Sequence, residues 1–267
     1  MYLDYWGFEQ FPFENVPNEH FFFESPSHKM LLEDLHDAIQ RQKGAIALTG
    51  GIGCGKSTIT QRILLALPEQ RFDIALITYS RLSPVEMLSE VCQQLGIEDI
   101  SPDRNHLLRR LQEHLLHNMQ QNKHTLICID EAQSIPSLAT FEELRLLLNF
   151  QLAGQFLITL WLIGQPELQR KIAKLPQLQQ RIALNLNIQQ MNLEDSVRYI
   201  LHRLQAAGLN RPILTRQAAQ FIHHRTQGIP RRINHVMDHC LLTAMRNESK
   251  LIDKRTVTAV IQRYACS

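Results

Sequence analysis

Residues 50–57 of this 267-residue chain read Gly50-Gly51-Ile52-Gly53-Cys54-Gly55-Lys56-Ser57, which matches the pattern G-x-x-x-x-G-K-[ST] in full. The run follows an apolar stretch at 45–48 and precedes a helical pattern at 56–67, the strand–loop–helix context in which this motif binds phosphate. Glycines let the backbone curl so that its N–H groups converge on phosphate oxygens, and the helix N-terminus adds partial positive charge. We therefore predict a nucleotide phosphate site built from Gly50, Gly51, Ile52, Gly53, Cys54, Gly55, Lys56, Ser57 and Thr58.

A second motif follows about 75 residues after this loop, where the apolar run 125–129 ends in Asp130-Glu131. An acid at the end of a buried strand lies at the carboxyl edge of a parallel sheet, beside the bound phosphates. Lys56 would then contact the β- and γ-phosphates, while Ser57 and Asp130 would hold Mg²⁺, Asp130 mostly through water. Glu131 would polarise the attacking water as general base. The pair of motifs predicts binding of ATP with Mg²⁺ and its hydrolysis.

The next apolar strand ends in a polar side chain, Gln165. That amide could sense the γ-phosphate or orient the water, and it could equally be an ordinary turn amide.

Arginines are the candidates for a charge offered to a neighbouring subunit's nucleotide, because charge on phosphoryl oxygens in the transition state rewards a guanidinium. Arg145, Arg170 and Arg181 qualify, and Arg181 is best placed because it directly precedes the fifth predicted strand. Arg231, near the start of a predicted helix, could reach the γ-phosphate, with Arg232 as the reserve.

The periodicity predicts two kinds of structure. Apolar runs of strand length alternate with helical patterns up to about residue 191, which indicates a five-stranded parallel sheet buried on both faces. From about 193 only helical patterns remain, at 193–206, 215–226, 230–246 and 253–263, with Thr215 and Asp253 as N-caps. We predict an α/β ATPase domain over 25–191, a small all-helical lid domain over 192–267, and a separate aromatic segment over 1–24.

Charge changes sign at the same boundary. Residues 1–194 contain 16 Lys and Arg against 22 Asp and Glu, whereas residues 195–267 contain 12 against 4. A basic module of this kind is either a solvated helical surface or the face for an anionic partner, nucleic acid or an acidic protein surface.

Nine of the 18 aromatic residues precede residue 24, and they require a core to pack against. We expect Phe8, Phe11 and Phe13 to pack on the ATPase module's own surface near the nucleotide cleft, with docking on a neighbouring subunit as the alternative. The five cysteines contain no C-x-x-C pair, which argues against a disulfide framework or a zinc site and fits a reducing compartment. With no signal peptide and no apolar run of about 20 residues, a cytoplasmic location is expected.

Together these motifs resemble the AAA+ ATPases, over roughly residues 25–263. The aromatic start, with Phe11-Pro12-Phe13, Asp130-Glu131-Ala132-Gln133, 143–150 and 164–168, is similar to the general secretion pathway protein A (ExeA-type) ATPases, in a short form that ends without a transmembrane segment or a peptidoglycan-binding domain. That group also resembles pilus biogenesis ATPases and, more distantly, transposon target-selection ATPases.

The resemblance implies strand order 5-1-4-3-2, a P-loop fold with a helical lid, and ATP-dependent homo-oligomers with nucleotide at subunit interfaces. It implies a role in assembling a secretion or pilus complex. The alternative is an ATP-dependent DNA-binding regulator of the transposition type, which the basic helical module would serve.

Overall fold

The computed structural model describes residues 2–16, 18–98 and 101–264. The chain forms two compact units. One contains the residues up to 27, residues 53–58 and the residues from 189 onwards; the other contains residues 28–52 and 59–188. They are called here the helical unit and the sheet unit.

A five-stranded parallel sheet organises the sheet unit. Its strands are β1 (Ala45–Gly50), β2 (Phe72–Ile77), β3 (His124–Ile129), β6 (Ile158–Gly164) and β7 (Ile182–Ile188). They lie in the order β2-β3-β6-β1-β7, and each neighbouring pair is parallel. Counted in chain order, this is the predicted order 5-1-4-3-2, which is thereby confirmed. A small antiparallel hairpin, β4 (Gln151–Leu152) with β5 (Gln155–Phe156), was not predicted.

Helices follow the strands and cover the sheet. In the sheet unit they are α2 (Pro26–Gln40), α3 (Lys56–Ala66), α4 (Pro84–Gln94), α5 (Arg104–Gln120), α6 (Leu138–Leu147), α7 (Glu167–Ile172) and α8 (Pro176–Gln179), the first two having their initial residues in the other unit. Local sequence explains where several begin. Ser83 and Glu86 form a reciprocal capping box at the start of α4, and the Asp103 carboxylate caps α5.

The three central strands β1, β3 and β6 are buried along their whole length. This explains their continuous apolar sequences, because helices cover both faces of a parallel sheet. In β7, exposed and half-buried residues alternate until Ile188, the pattern of an edge strand. The apolar run at 74–79 predicts a strand that reaches Tyr79, but β2 ends at Ile77 and leaves Tyr79 65% exposed.

The helical unit contains α1 (Tyr2–Trp6), α9 (Leu193–Ala206), α10 (Arg216–Thr226), α11 (Pro230–Arg246) and α12 (Lys254–Tyr264). The predicted N-caps are confirmed, since the Thr215 hydroxyl accepts from the Ala218 amide and the Asp253 carboxylate from the Thr256 amide. Among the described residues, no helix combines the length and apolarity needed to cross a membrane.

The aromatic segment belongs to the core of the helical unit. Trp6 and Phe13 are each 3% exposed, and the Trp6 indole N–H donates to the Leu241 carbonyl at 3.1 Å. Phe8 is buried in the same core, and Phe11 packs against it half-buried. This differs from the surface position that we expected. The physical reason is that α9–α11 bury apolar faces that the segment's aromatic side chains complete.

A buried arginine fastens this segment to α9. Arg203 is 7% exposed, and its guanidinium donates to the carbonyls of Pro12 and Glu14 and to the Tyr199 hydroxyl. Its terminal carbon lies 5.0 Å from the centroid of the Phe21 ring. The guanidinium is thus accommodated by carbonyl oxygens and ring faces, which compensate its burial.

Candidate functional site

The predicted catalytic residues of the sheet unit meet at one edge of the sheet. β3 ends at Ile129 and is followed by Asp130 and Glu131, while the neighbouring β6 ends at Gly164 and is followed by Gln165. β1, on the other side of β6, ends at Gly50, where the phosphate loop begins. Because parallel strands end at the same edge, this is where a nucleotide fold presents its ligand.

The backbone of Glu131 adopts the left-handed conformation, with φ 50° and ψ 35°. A non-glycine residue in this region is strained by about 1–2 kcal/mol, so neighbouring groups must hold it there. The Glu131 amide donates to the Asp130 carboxylate at 2.8 Å, and the Ser80 hydroxyl donates to the Glu131 carbonyl at 2.8 Å. Ser80 is buried. These contacts fix the turn that aims the Glu131 side chain.

Two amides bind one oxygen of the Glu131 carboxylate. The Gln133 side-chain amide donates to Oε2, and the Gln165 side-chain amide donates to the same oxygen at 3.3 Å. The backbone N–H of Gln165 also donates to the Gln133 side-chain oxygen at 2.9 Å. Glu131, Gln133 and Gln165 therefore form a closed ring of hydrogen bonds between the ends of β3 and β6. Gln165 thus contacts Glu131 through its side chain and Gln133 through its backbone N–H.

The chemistry of this ring follows from which oxygen is used. In the part of the chain that the structure describes, Glu131 Oε1 has no protein partner, whereas Oε2 accepts both amides. A carboxylate that is held at one oxygen and open at the other can accept a proton from water through the open oxygen. The arrangement thus suits a general base with a fixed orientation.

The phosphate loop has the backbone that its glycines allow. Gly53 and Gly55 have φ values of +78° and +98°, which side chains other than glycine rarely adopt. The loop ends at Lys56, the first residue of α3, which is 7% exposed. First-turn amides of a helix lack an intrahelical acceptor and suit a phosphate oxygen. The Lys56 ammonium and the loop amides can donate hydrogen bonds to phosphate oxygens, and the Ser57 hydroxyl oxygen can bind Mg²⁺, as a site for a nucleoside triphosphate requires.

Arg231 lies against the phosphate loop within the helical unit. Its backbone N–H donates to the Gly53 carbonyl at 3.3 Å. A Cβ on Gly53 would lie 2.8 Å from the Arg231 Cβ and 3.2 Å from the Ile229 Cγ2. Glycine is therefore required at position 53 for two reasons, its φ value and this close approach of the start of α11. Arg231 and Arg232 are both exposed.

The remaining candidate arginines make other contacts. Arg181 precedes the amino end of β7, whereas Glu131 follows the carboxyl end of β3, and the Arg181 guanidinium donates to the Asn149 side-chain oxygen at 3.3 Å. Arg145 forms an ion pair with Glu142 at 2.7 Å, and Arg170 is exposed on α7.

Three residues that contribute to this site were given no role from the sequence, although Gln133 is part of the quoted run Asp130-Glu131-Ala132-Gln133. Ser80 comes from the loop after β2, Gln133 from the turn after Glu131, and Lys171 from α7, where its ammonium donates to the carbonyls of Gln133 and Ile135, each at 2.6 Å. Only Gln133 carried a signal, because two residues after Glu131 in a tight turn bring a side chain back beside it.

Other reactive groups near the sheet are inert. Burial raises the pKa of the Cys128 thiol far above its usual range, and the nearby Asp130 adds to the effect, so this thiol stays protonated. Across residues 2–16, 18–98 and 101–264, no three His, Cys, Asp or Glu side chains gather into a metal-binding group.

A family model described as an AAA domain matches residues 39–172, from the end of α2 to the end of α7. General secretion pathway protein A of Aeromonas hydrophila is 33% identical over 255 residues, which cover 94% of this chain and 46% of that protein. The chain thus spans about half the length of this curated relative.

Solved structures share the fold over nearly the whole chain. The ORC2 protein of Aeropyrum pernix is 16% identical with a TM-score of 0.68, covering 96% of this chain and 71% of its own. Drosophila ORC bound to DNA is 14% identical with a TM-score of 0.71, covering 96% and 64%. The Thermotoga maritima RuvB branch migration motor is 17% identical with a TM-score of 0.57, covering 95% and 73%. At these identities the likeness concerns the fold.

Proposed function

This chain belongs to the AAA domain family, and we propose that it hydrolyses ATP with Mg²⁺ and couples this hydrolysis to its own oligomerisation and to assembly of a secretion or pilus complex, as an ATPase of the ExeA type. The observation that carries the catalytic part is the Glu131 carboxylate, held at one oxygen by the amides of Gln133 and Gln165.

Each residue has a separate task in this proposal. Lys56 and the loop amides bind the β- and γ-phosphates, and the hydroxyl of Ser57 and the carboxylate of Asp130 hold Mg²⁺, which neutralises charge on the phosphates when it is bound. Glu131 accepts a proton from the attacking water, and Gln165 orients that water or the γ-phosphate. Arg231, whose backbone lies against Gly53, supplies positive charge to the bound nucleotide.

Two substitutions separate binding from turnover. Lys56→Ala should abolish binding of ATP because it removes the ammonium from the loop. Glu131→Gln should retain ATP binding and lose turnover by about 10²-fold or more, because the amide cannot accept the proton. ATP binding and phosphate release, each measured with Mg²⁺ and with EDTA, provide the test. Normal hydrolysis by Glu131→Gln would refute the role of this residue.

Oligomerisation is tested by the size of the assembly with ATP, with ADP and without nucleotide. If Arg181 acts on a neighbouring subunit, a mixture of Arg181→Ala and Lys56→Ala subunits should recover part of the activity that each lacks. Arg109→Ala is the matched control, because Arg109 is an exposed arginine on α5 that is not among the candidates for this role. Failure of the mixture at concentrations where it assembles would count against Arg181.

Similarity to General secretion pathway protein A supports the proposal of a secretion or pilus partner, and this comparison does not favour the DNA-binding alternative. Removal of the gene from its host should reduce the number of assembled secretion or pilus complexes, and Lys56→Ala should fail to restore them. DNA affinity that falls steeply with salt would instead support the transposition-type regulator. A cytoplasmic site of action is part of the proposal.

A further inference from the structure

We propose that Gln133 is a positioning residue, which holds the Glu131 carboxylate in the orientation needed for hydrolysis and ties it to the end of β6. The inference rests on the proposed role of Glu131 as general base. It assigns a task to a side chain that would not itself touch the nucleotide.

Gln133 is the member of the ring that joins the other two. Its amide donates to Glu131 Oε2, and its carbonyl oxygen accepts from the Gln165 backbone N–H at 2.9 Å. The direct contact between the Gln165 side chain and Glu131 is longer, at 3.3 Å. If the Gln165 side chain turns to a phosphate or to water, that longer contact is lost, but the Gln133 bridge persists because it uses the backbone of Gln165.

The surroundings leave Gln133 little freedom. The Lys171 ammonium donates to the Gln133 carbonyl at 2.6 Å and thereby anchors its backbone. A Cβ added to Gly164 would lie 2.6 Å from the Gln133 side-chain oxygen, so the absence of a side chain at 164 makes room for the bridge. Both ends of Gln133 are consequently fixed by α7 and by the end of β6.

The bridge acts on catalysis through the direction of Glu131. Both amides donate to Oε2, so rotation of the carboxylate would replace Oε1, which accepts no hydrogen bond from the described residues, by an oxygen that is already hydrogen-bonded. Catalysis by a general base requires hydrogen-bond reach to the proton that is removed, and misplacement by about 1 Å can lower the rate by about 10²-fold. Binding of ATP does not depend on this orientation.

Two variants disturb the bridge in different ways. Gln133→Met keeps the length of the side chain and removes both hydrogen-bonding groups. Gly164→Ala keeps glutamine at position 133, but the new Cβ would push its side-chain oxygen away from the Gln165 backbone N–H. Gln179→Met is the matched control, because Gln179 is an exposed glutamine on α8. The full-length proteins are compared by steady-state ATP hydrolysis, by binding of a fluorescent ATP analogue and by thermal unfolding.

We expect kcat to fall by about tenfold or more in both variants, with affinity for the analogue within about twofold of the original and the control unchanged. In a Glu131→Gln background, Gln133→Met should lower the residual rate no further, because the two residues act through one group. Unchanged kcat in Gln133→Met would overturn the proposal, as would loss of analogue binding in parallel with kcat. Absence of ATP hydrolysis by the unsubstituted protein would instead refute the proposed function.

Discussion

Replacement of Phe13 by alanine should destabilise the helical unit strongly, although the residue lies about 180 positions before that unit's first long helix. Phe13 is 3% exposed in the aromatic and aliphatic core. Its ring centroid also lies 5.9 Å from the terminal carbon of Arg203. Phe13→Ala therefore removes buried apolar surface, leaves a cavity and weakens a cation–π contact.

Removal of a buried phenylalanine side chain costs about 3–5 kcal/mol, and loss of the cation–π contact adds less than about 1 kcal/mol. A loss of about 4 kcal/mol in the free energy of unfolding is the expected sum. With a urea m value of about 2 kcal/mol/M, the midpoint should fall by about 2 M.

The chain's two tryptophans allow each unit to be followed separately, since Trp6 lies in the helical unit and Trp161 in β6 of the sheet unit. In a Trp161→Phe background, Trp6 fluorescence reports unfolding of the helical unit during urea titration. Val16→Ala is the control, because Val16 belongs to the same segment and is 70% exposed. Its free energy of unfolding should stay within about 0.5 kcal/mol of the background.

A midpoint shift for Phe13→Ala no larger than that of Val16→Ala would refute the reasoning. It would mean that the aromatic segment does not contribute to the core of the helical unit.

Three further outcomes are expected. Gly228→Ala should lower the free energy of unfolding by well over about 2 kcal/mol, because φ is +68° and the new Cβ would lie 2.0 Å from the Met191 carbonyl oxygen. Gly7→Ala, with φ +79° and open space around the new Cβ, should lower it by about 1 kcal/mol, and equal losses in Trp6-monitored urea unfolding would contradict this. Burial lowers the pKa of His124 from 6.5 to about 4, so the unfolded chain takes up a proton at a higher pH than the folded chain does. The sheet unit should therefore keep its full free energy of unfolding above about pH 6.5 and lose roughly 3 kcal/mol of it as the pH falls towards 4. Trp161-monitored unfolding measures this slope, which His124→Gln should flatten. Trp161→Phe should lower the free energy of unfolding by less than about 1.5 kcal/mol, because the buried indole N–H has no partner in the described part of the chain and its removal eliminates an unsatisfied donor. A loss above about 3 kcal/mol would show that the lost side-chain volume outweighs this gain.

The fold was predictable where one local rule determined each element. Continuous apolar runs identified the buried strands β1, β3 and β6, and the phosphate loop placed β1 before α3. Short elements escaped, because the four residues of α8 and the two-residue strands of the hairpin carry no measurable periodicity. The strand around 74–79 was drawn too long because Thr78 and Tyr79 favour strands, while pairing with β3 stops at Ile129.

The site was predictable only in part for a related reason. Glu131 and Gln165 each follow an apolar strand, so the sequence indicated both, and their meeting follows from β3 and β6 being neighbours. Ser80 and Lys171 reach the site through hydrogen bonds to backbone carbonyls, for which any sequence offers many candidates. The destination of the aromatic segment depended on packing between residues more than 200 positions apart, and no local pattern carries that information.

The aromatic segment completes a core whose other residues come from Met191 onwards in the sequence, and this constrains how the protein folds. Trp6 donates to Leu241, 235 residues later, and the Tyr2 hydroxyl donates to the Asp238 carboxylate, 236 residues later. At about 5–20 residues per second, the aromatic segment leaves the ribosome roughly 10–50 s before α11 does. During that interval the sheet unit can fold, because its sequence lies between the aromatic segment and α9, while the aromatic side chains stay exposed. Closing such a long loop slows folding, and a nascent or truncated chain is the form most exposed to aggregation and to chaperones.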